Sequence, residues 1–247
     1  MSSIFLTLSR LGYILAVMGS LRKSGSTKKT GMKATAPYHH GDLRTALIAA
    51  GRELLAEHGE RAFTLRECAR RAGVSHAAPA HHFPTAGDLL AEIAATGFED
   101  LTASMRKFAE EAPAGDAPGQ LMGLGRGYVA FALGNRAVFQ LMFRSETFSF
   151  DNEHFAAARR AAFDCLVKSV DSALPNAAPA ERSLVVERSW SIVHGFSTLV
   201  IEGQICKDVT DPVAIDARVA ALLAFGPHCG REQWHDGLCA RDANEQR

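Results

Sequence analysis

No Gly-rich phosphate loop, no G-x-S-x-G and no H-E-x-x-H occurs anywhere in the 247 residues. Asp, Glu and His are plentiful, yet no pair of them stands in a catalytic pattern, which argues against an enzyme and leaves no catalytic residue to name. Net charge is missing as well: 27 Lys and Arg balance 27 Asp and Glu, so the average carries no nucleic-acid footprint. Paired cysteines are absent. The five present (Cys68, Cys165, Cys206, Cys229 and Cys239) are odd in number and form no C-x-x-C, which argues against a disulfide scaffold and suits reduced thiols in a cytoplasmic protein. His228, Cys229, His235 and Cys239 fall close together near the C-terminus, but their spacing matches no common zinc pattern. No metal and no cofactor is expected. β-branched residues are sparse beside Ala, Leu, Arg and Glu, which favours helix over strand.

What is there begins with an asymmetry. Residues 1–36 hold Arg10, Arg22, Lys23, Lys28, Lys29 and Lys33 and no acid, so the remainder is net acidic. The apolar stretch from Ile4 to Leu21 is interrupted by Arg10 and weakened by Gly12 and Gly19. It is short for a membrane span and lacks the basic start of a signal peptide. Lys23–Lys33 reads as a flexible linker. Residues 1–36 are therefore expected to be a flexible extension, the first 31 of them non-native with the true start at Met32. No membrane association is expected.

The first clear helix runs from Asp42 to His58, with Leu43, Leu47, Ala50 and Leu54 at helical spacing and Gly59 as its stop. Thr64-Leu65-Arg66-Glu67 reads as a capping box that opens a second helix ending at Ala72, where Gly73 supplies a left-handed turn. Ser75 is a good N-cap for a third helix over Ser75–His82, with Pro79 tolerated near its first turn. A fourth helix starts near Thr85, again with an acid three residues on, Asp88. Its buried face is Leu90, Ala94, Gly97, Leu101, Met105 and Phe108. Further helices are expected over about 117–133, 135–144, 151–174, 180–206 and 212–225. No repeat and no convincing strand is apparent.

Two short helices joined by Ala72-Gly73-Val74-Ser75, with small residues that let them cross closely, make a helix-turn-helix unit, whose second helix lies in the major groove of DNA. The string Phe63-Thr64-Leu65-Arg66-Glu67, then Ala69-Arg70-Arg71-Ala72-Gly73-Val74-Ser75, then His82-Phe83-Pro84 and Leu89-Leu90 resembles the signature of the TetR family of regulators. The resemblance covers Tyr38 to about Ile93. It implies that Thr64 caps its helix and donates to a DNA phosphate, that His76 and Ala77 face the bases and that His82 sits near the backbone. Tyr38, His39, Arg66, Ser75, Ala78 and His81 complete the candidate DNA-binding set. Two departures stand out. The family's usual Tyr is replaced by Ala80 and its usual Lys by Ala86, so two phosphate donors are missing. Weaker, less salt-sensitive anchoring is expected.

In the rest of the chain, Ser189 to Ile201 runs thirteen residues without a formal charge, which predicts burial on both the core and a partner subunit. With the stripe Ile215, Val219, Leu222 and Leu223 it would build a four-helix interface between two chains. Trp190-Ser191-Ile192-Val193-His194-Gly195 and the stretch from Asn135 to Phe143 resemble the Trp-His-Gly (WHG) class of C-terminal domains within that family. Phe131, Phe139, Met142, Phe143, Phe163, Trp190 and His194 are the candidate lining of an effector pocket suited to apolar or aromatic molecules.

The expectation is thus an all-α homodimer in four parts: the extension 1–36, a three-helix helix-turn-helix head at 37–84, a helical effector-binding and dimerisation body at 85–226, and a flexible tail at 227–247. The resemblance implies binding to double-stranded DNA at a palindromic operator, with release by a small-molecule effector. A second reading keeps the fold and the ligand but weakens or removes DNA binding, in line with Ala80 and Ala86.

Overall fold

A computed structural model describes residues 40–144, 152–206 and 211–224. Among them are eight α-helices, two 3-10 turns and no strand. In chain order they are α1 (His40–His58), a 3-10 turn (Glu60–Ala62), α2 (Leu65–Arg71), a second 3-10 turn (Ala78–His81), α3 (Ala86–Ala109), α4 (Ala117–Gly134), α5 (Arg136–Met142), α6 (Glu153–Ala173), α7 (Pro179–Ile201) and α8 (Pro212–Ala224). The all-helical expectation holds. The expected extension, Tyr38, His39 and the tail lie outside the described residues. No described helix is long and apolar enough to cross a membrane.

The ends of the helices follow local chemistry. The box at the start of α3 is complete: Thr85 Oγ accepts from the Asp88 amide at 3.2 Å, and Asp88 Oδ2 accepts from the Thr85 amide at 2.8 Å. Asp116 caps α4 by accepting from the Gly119 amide at 2.9 Å, and Asn152 caps α6 by accepting from the Phe155 amide at 2.8 Å. α7 stops at Ile201 rather than continuing to Cys206. Gly203 takes φ +69°, and the Gln204 and Gly203 amides return to the carbonyls of Leu199 and Val200, closing a Schellman motif.

The main departure is the third helix. Residues 75–82 form no α-helix; they make a turn followed by the single 3-10 turn Ala78–His81. In an α-helix starting at Ser75, the amide of residue 79 would bond to the Ser75 carbonyl, but Pro79 has no N–H to give. The Ala78 amide takes the Ser75 carbonyl instead, at 3.0 Å, and the Pro79 carbonyl accepts from both His82 and Phe83.

α3 is the spine. It packs on α1, α4, α5 and α6. One buried apolar cluster runs without a break from Leu47 and Leu54 of α1, through Cys68, Phe83, Leu89 and Ile93, to Phe98, Leu101, Met105, Tyr128 and Phe155. Arg126 of α4 holds α8 with a two-point contact to Asp216, at 2.6 and 2.9 Å.

Candidate nucleic-acid interface and ligand cavity

The turn after α2 is closed by Gly73 at φ +71°. The Val74 amide bonds to the Ala69 carbonyl at 3.0 Å and the Gly73 amide to the Arg70 carbonyl at 3.3 Å, a second Schellman motif. A side chain at position 73 would be strained in this left-handed conformation. The turn delivers Ser75, His76, Ala77, Ala80 and His81 to the surface while Pro79 and Phe83 anchor the segment in the core; Ala78 and His82 are half-buried. Thr64 and Arg66 are exposed at the start of α2. The segment expected to meet DNA is therefore presented outward, on one 3-10 turn where two helical turns were expected.

The capping box at Thr64 is only half formed. Thr64 Oγ accepts from the Glu67 amide at 3.1 Å, but the Glu67 carboxylate does not return. It is gripped by Arg70 at 2.6 and 2.8 Å and touched by Arg71 at 3.3 Å, while Arg71 reaches across to Glu57 at 2.7 Å. The guanidinium of Arg70 beside it holds the Glu67 carboxyl down at about 2. Arg44 pairs with Glu92 and Arg52 with Asp100, both at 2.6 Å. Among the described residues of the head, Arg61 and Arg66 are the arginines left without a carboxylate partner. Internal pairing thus leaves few free guanidiniums on this side of the molecule, where positions 80 and 86 are the uncharged Ala80 and Ala86.

Glu92 ties three helices together. Its buried carboxylate on α3 meets Arg44 of α1 and, at 2.8 Å, His154 Nδ1 of α6, whose Nε2 lies 3.0 Å from Glu99. Glu99 first, and Glu92 with it, pull the His154 pKa above its ordinary value. A raised histidine contributes stability that is complete below its unfolded value, near 6.5, and is lost as pH climbs through the folded value. Thermal melts from about pH 6 to pH 8 are therefore expected to fall more for the wild type than for His154→Gln. The gap is modest, because the side chain is 39% exposed and screened by solvent. Parallel curves would remove His154 from the pH response.

Between α3, α4, α6 and α7 lies a cavity of about 900 Å³. Of the seven candidates, Met142, Phe143, Phe163 and Trp190 line it, and Phe131, Phe139 and His194 do not. Phe131 and Phe139 are buried in the core. His194 stands behind the wall, its ring 4.5 Å from Phe143 and its Nδ1 2.9 Å from the Tyr128 hydroxyl. Burial raises the Tyr128 pKa and lowers that of His194, so both are neutral and the pair is a hydroxyl–imidazole hydrogen bond. The sequence reading missed Phe98, Leu101 and Met105 of α3, Tyr128 of α4, and the arginines Arg159, Arg160 and Arg188. One signal was available: Ala156, Arg159, Arg160 and Phe163 recur at helical spacing, so all four share a face.

Comparison with known proteins agrees with this geometry. Residues 47–93 match the model "Bacterial regulatory proteins, tetR family", and residues 121–225 match "Tetracyclin repressor-like, C-terminal domain". A search of curated proteins gives no match. A protein of unknown function from Rhodococcus sp. RHA1 has a similar structure, with 31% identity, a TM-score of 0.64, and 76% of this chain and 97% of that one covered. A bacterial regulatory protein in the tetR family from Rhodococcus RHA1 is 24% identical, with a TM-score of 0.56 over 73% of this chain and 94% of that one. A TetR family transcriptional regulator from Thermus thermophilus shares the fold at 19% identity and a TM-score of 0.55, over 74% and 96% of the two chains.

Proposed function

Because the chain belongs to the TetR family of bacterial regulatory proteins, we propose that it is a homodimeric repressor that occupies a palindromic operator and leaves it when a small molecule fills the body cavity. The observation that carries this reading is the course of α3. It begins one residue after the capping Thr85, beside the outward segment 75–82, and its own Phe98, Leu101 and Met105 line the cavity further along. A ligand that displaces this wall acts on a rod whose other end carries the DNA-facing turn. Favouring the non-binding arrangement by a few kcal/mol is enough to empty an operator.

The head of residues 37–84 supplies the contacts in this reading. Thr64, Arg66, Tyr38 and His39 address the phosphates; Ser75, His76, Ala77 and Ala78 face the bases; and His81 and His82 close the segment against the backbone. The body of residues 85–226 supplies the dimer. Leu184 and Leu199 of α7 and Val213 and Leu222 of α8 are large apolar side chains left exposed, and nothing lies within 4 Å of where a Cβ on Gly195 would sit, so a second copy can approach closely there. Trp190, His194 and Gly195 on α7 support assigning the body to the Trp-His-Gly class. Dimerisation would set two recognition segments about 34–36 Å apart, one turn of duplex.

Fluorescence anisotropy with duplex from upstream of its own gene tests the proposal. Binding is expected to be sequence-specific, to weaken with salt, and to show two protomers per site. Absence of specific binding even at about 50 mM salt would overturn it. That outcome would favour a ligand-binding protein of the same fold without an operator, the reading that Ala80 and Ala86 support.

A further inference from the structure

The charged groups of the cavity say what kind of molecule it takes. Its interior is apolar, built from Leu101, Met105, Leu124 and Met142, and the one phenol there, Tyr128, is already held by His194. Its ionisable lining is three guanidiniums, Arg159 and Arg160 of α6 and Arg188 of α7, against the single carboxylate of Glu181. Arg159 and Arg160 are exposed and Arg188 is half-buried, so the charge sits at the mouth. Among the described residues, no carboxylate pairs with Arg160 or with Arg188.

Resting on the reading of this cavity as the effector site, we infer that its ligand is an amphiphilic organic anion, with an acyl or ring body in the interior and one carboxylate or phosphate at the arginine mouth. A wholly apolar ligand leaves Arg160 and Arg188 without a counter-charge, and a cationic one is repelled. A neutral polar ligand would find a single uncharged donor in the lining without a partner among the described residues, the Ser189 hydroxyl, and would leave both guanidiniums unanswered. An anionic head instead accepts charge-assisted hydrogen bonds from planar guanidiniums, beside walls that exclude water. The volume is within the range of small-molecule sites.

Calorimetry on the full chain with decanoate, 1-decanol and decyltrimethylammonium tests this, with Trp190 fluorescence as a second readout. Decanoate is expected to bind at least about ten-fold more tightly than the alcohol, the equivalent of one charge-assisted contact partly screened by solvent. The ammonium compound is expected to bind weakest. In Arg160→Gln/Arg188→Gln, whose fold is checked by circular dichroism, the preference for acid over alcohol should disappear while alcohol binding persists. Equal binding of acid and alcohol to the wild type would overturn the anionic assignment and leave the cavity as an effector site. Binding of neither would overturn both. Operator binding, read separately by anisotropy, reports on the regulator reading independently.

Discussion

The variant Gly123→Ala/Gly127→Ala is expected to melt at least about 5 °C below the wild type, because these two glycines let α4 lie directly on the backbone of α3. A Cβ at Gly127 would stand 2.5 Å from the Ser104 carbonyl oxygen and 2.7 Å from the Met105 Cα; one at Gly123 would strike the Phe108 carbonyl and the Ala109 Cα. These are main-chain atoms of a packed helix, so no rotamer change relieves the clash and the helices must separate. The contact is also polar, since Ser104 Oγ donates to the Gly127 carbonyl at 2.8 Å. Overpacking of this kind costs about 1–3 kcal/mol per site, and each kcal/mol moves the midpoint of a domain this size by about 2–4 °C. The control is Gly134→Ala at the end of the same helix, where nothing lies within 4 Å; it should be neutral or slightly stabilising. A double variant that melts with the wild type would mean that α3 and α4 do not approach this closely. Both helices line the cavity, so the destabilised variant should bind decanoate more weakly as well.

Restoring the two missing phosphate donors should have the opposite sense. Ala80 is exposed on the outward 3-10 turn, and Ala86 is the first residue of α3, half-buried. If segment 75–82 faces DNA, Ala80→Tyr adds a neutral hydroxyl and Ala86→Lys a cation beside the backbone. Each is expected to tighten operator binding by about five- to ten-fold at moderate salt, the worth of a partly screened hydrogen bond to a charged group. The salt dependence separates them. The lysine should steepen the slope of log K against log salt by about 0.9, one released counterion, and the tyrosine should leave it unchanged. A lysine in the first turn also opposes the helix dipole, a cost of about 0.3–1 kcal/mol in stability that melting curves would register. Unchanged affinity in both variants would mean that this face does not meet the duplex.

Much of the scaffold was legible because it is local. Gly59 and Gly73 end their helices through their own torsions, and Thr85 and Asp88 close a capping box over three residues; such features need no distant partner. The buried stripe of α3 was equally readable from its period, as were the extents of α4 to α8 to within a few residues, apart from the end of α7. Segment 75–82 was misread: the sequence reading tolerates Pro79 in a helix begun at Ser75, yet the missing N–H falls where that helix needs its first i to i+4 bond.

Other features depended on residues far apart in the chain. Thr64 and Glu67 spell the same capping motif as Thr85 and Asp88, yet only the second pair is reciprocal. Glu67 is drawn off by Arg70 and Arg71, and Arg71 is itself set by Glu57 on another helix. Phe139 and Phe143 lie one turn apart on the same short stretch, but only Phe143 reaches the cavity, because packing against Tyr128 puts Phe139 in the core. The chain order by itself determined where helices begin and end and that they must bury one face, since hydrogen bonds and torsions within a few residues decide this. Which carboxylate each paired arginine meets, which aromatics face the void, and the meeting of Arg188 of α7 with Arg159 and Arg160 of α6 along one cavity were decided only when α3, α4, α6 and α7 came together, because those are distances between helices and no spacing along one of them encodes them.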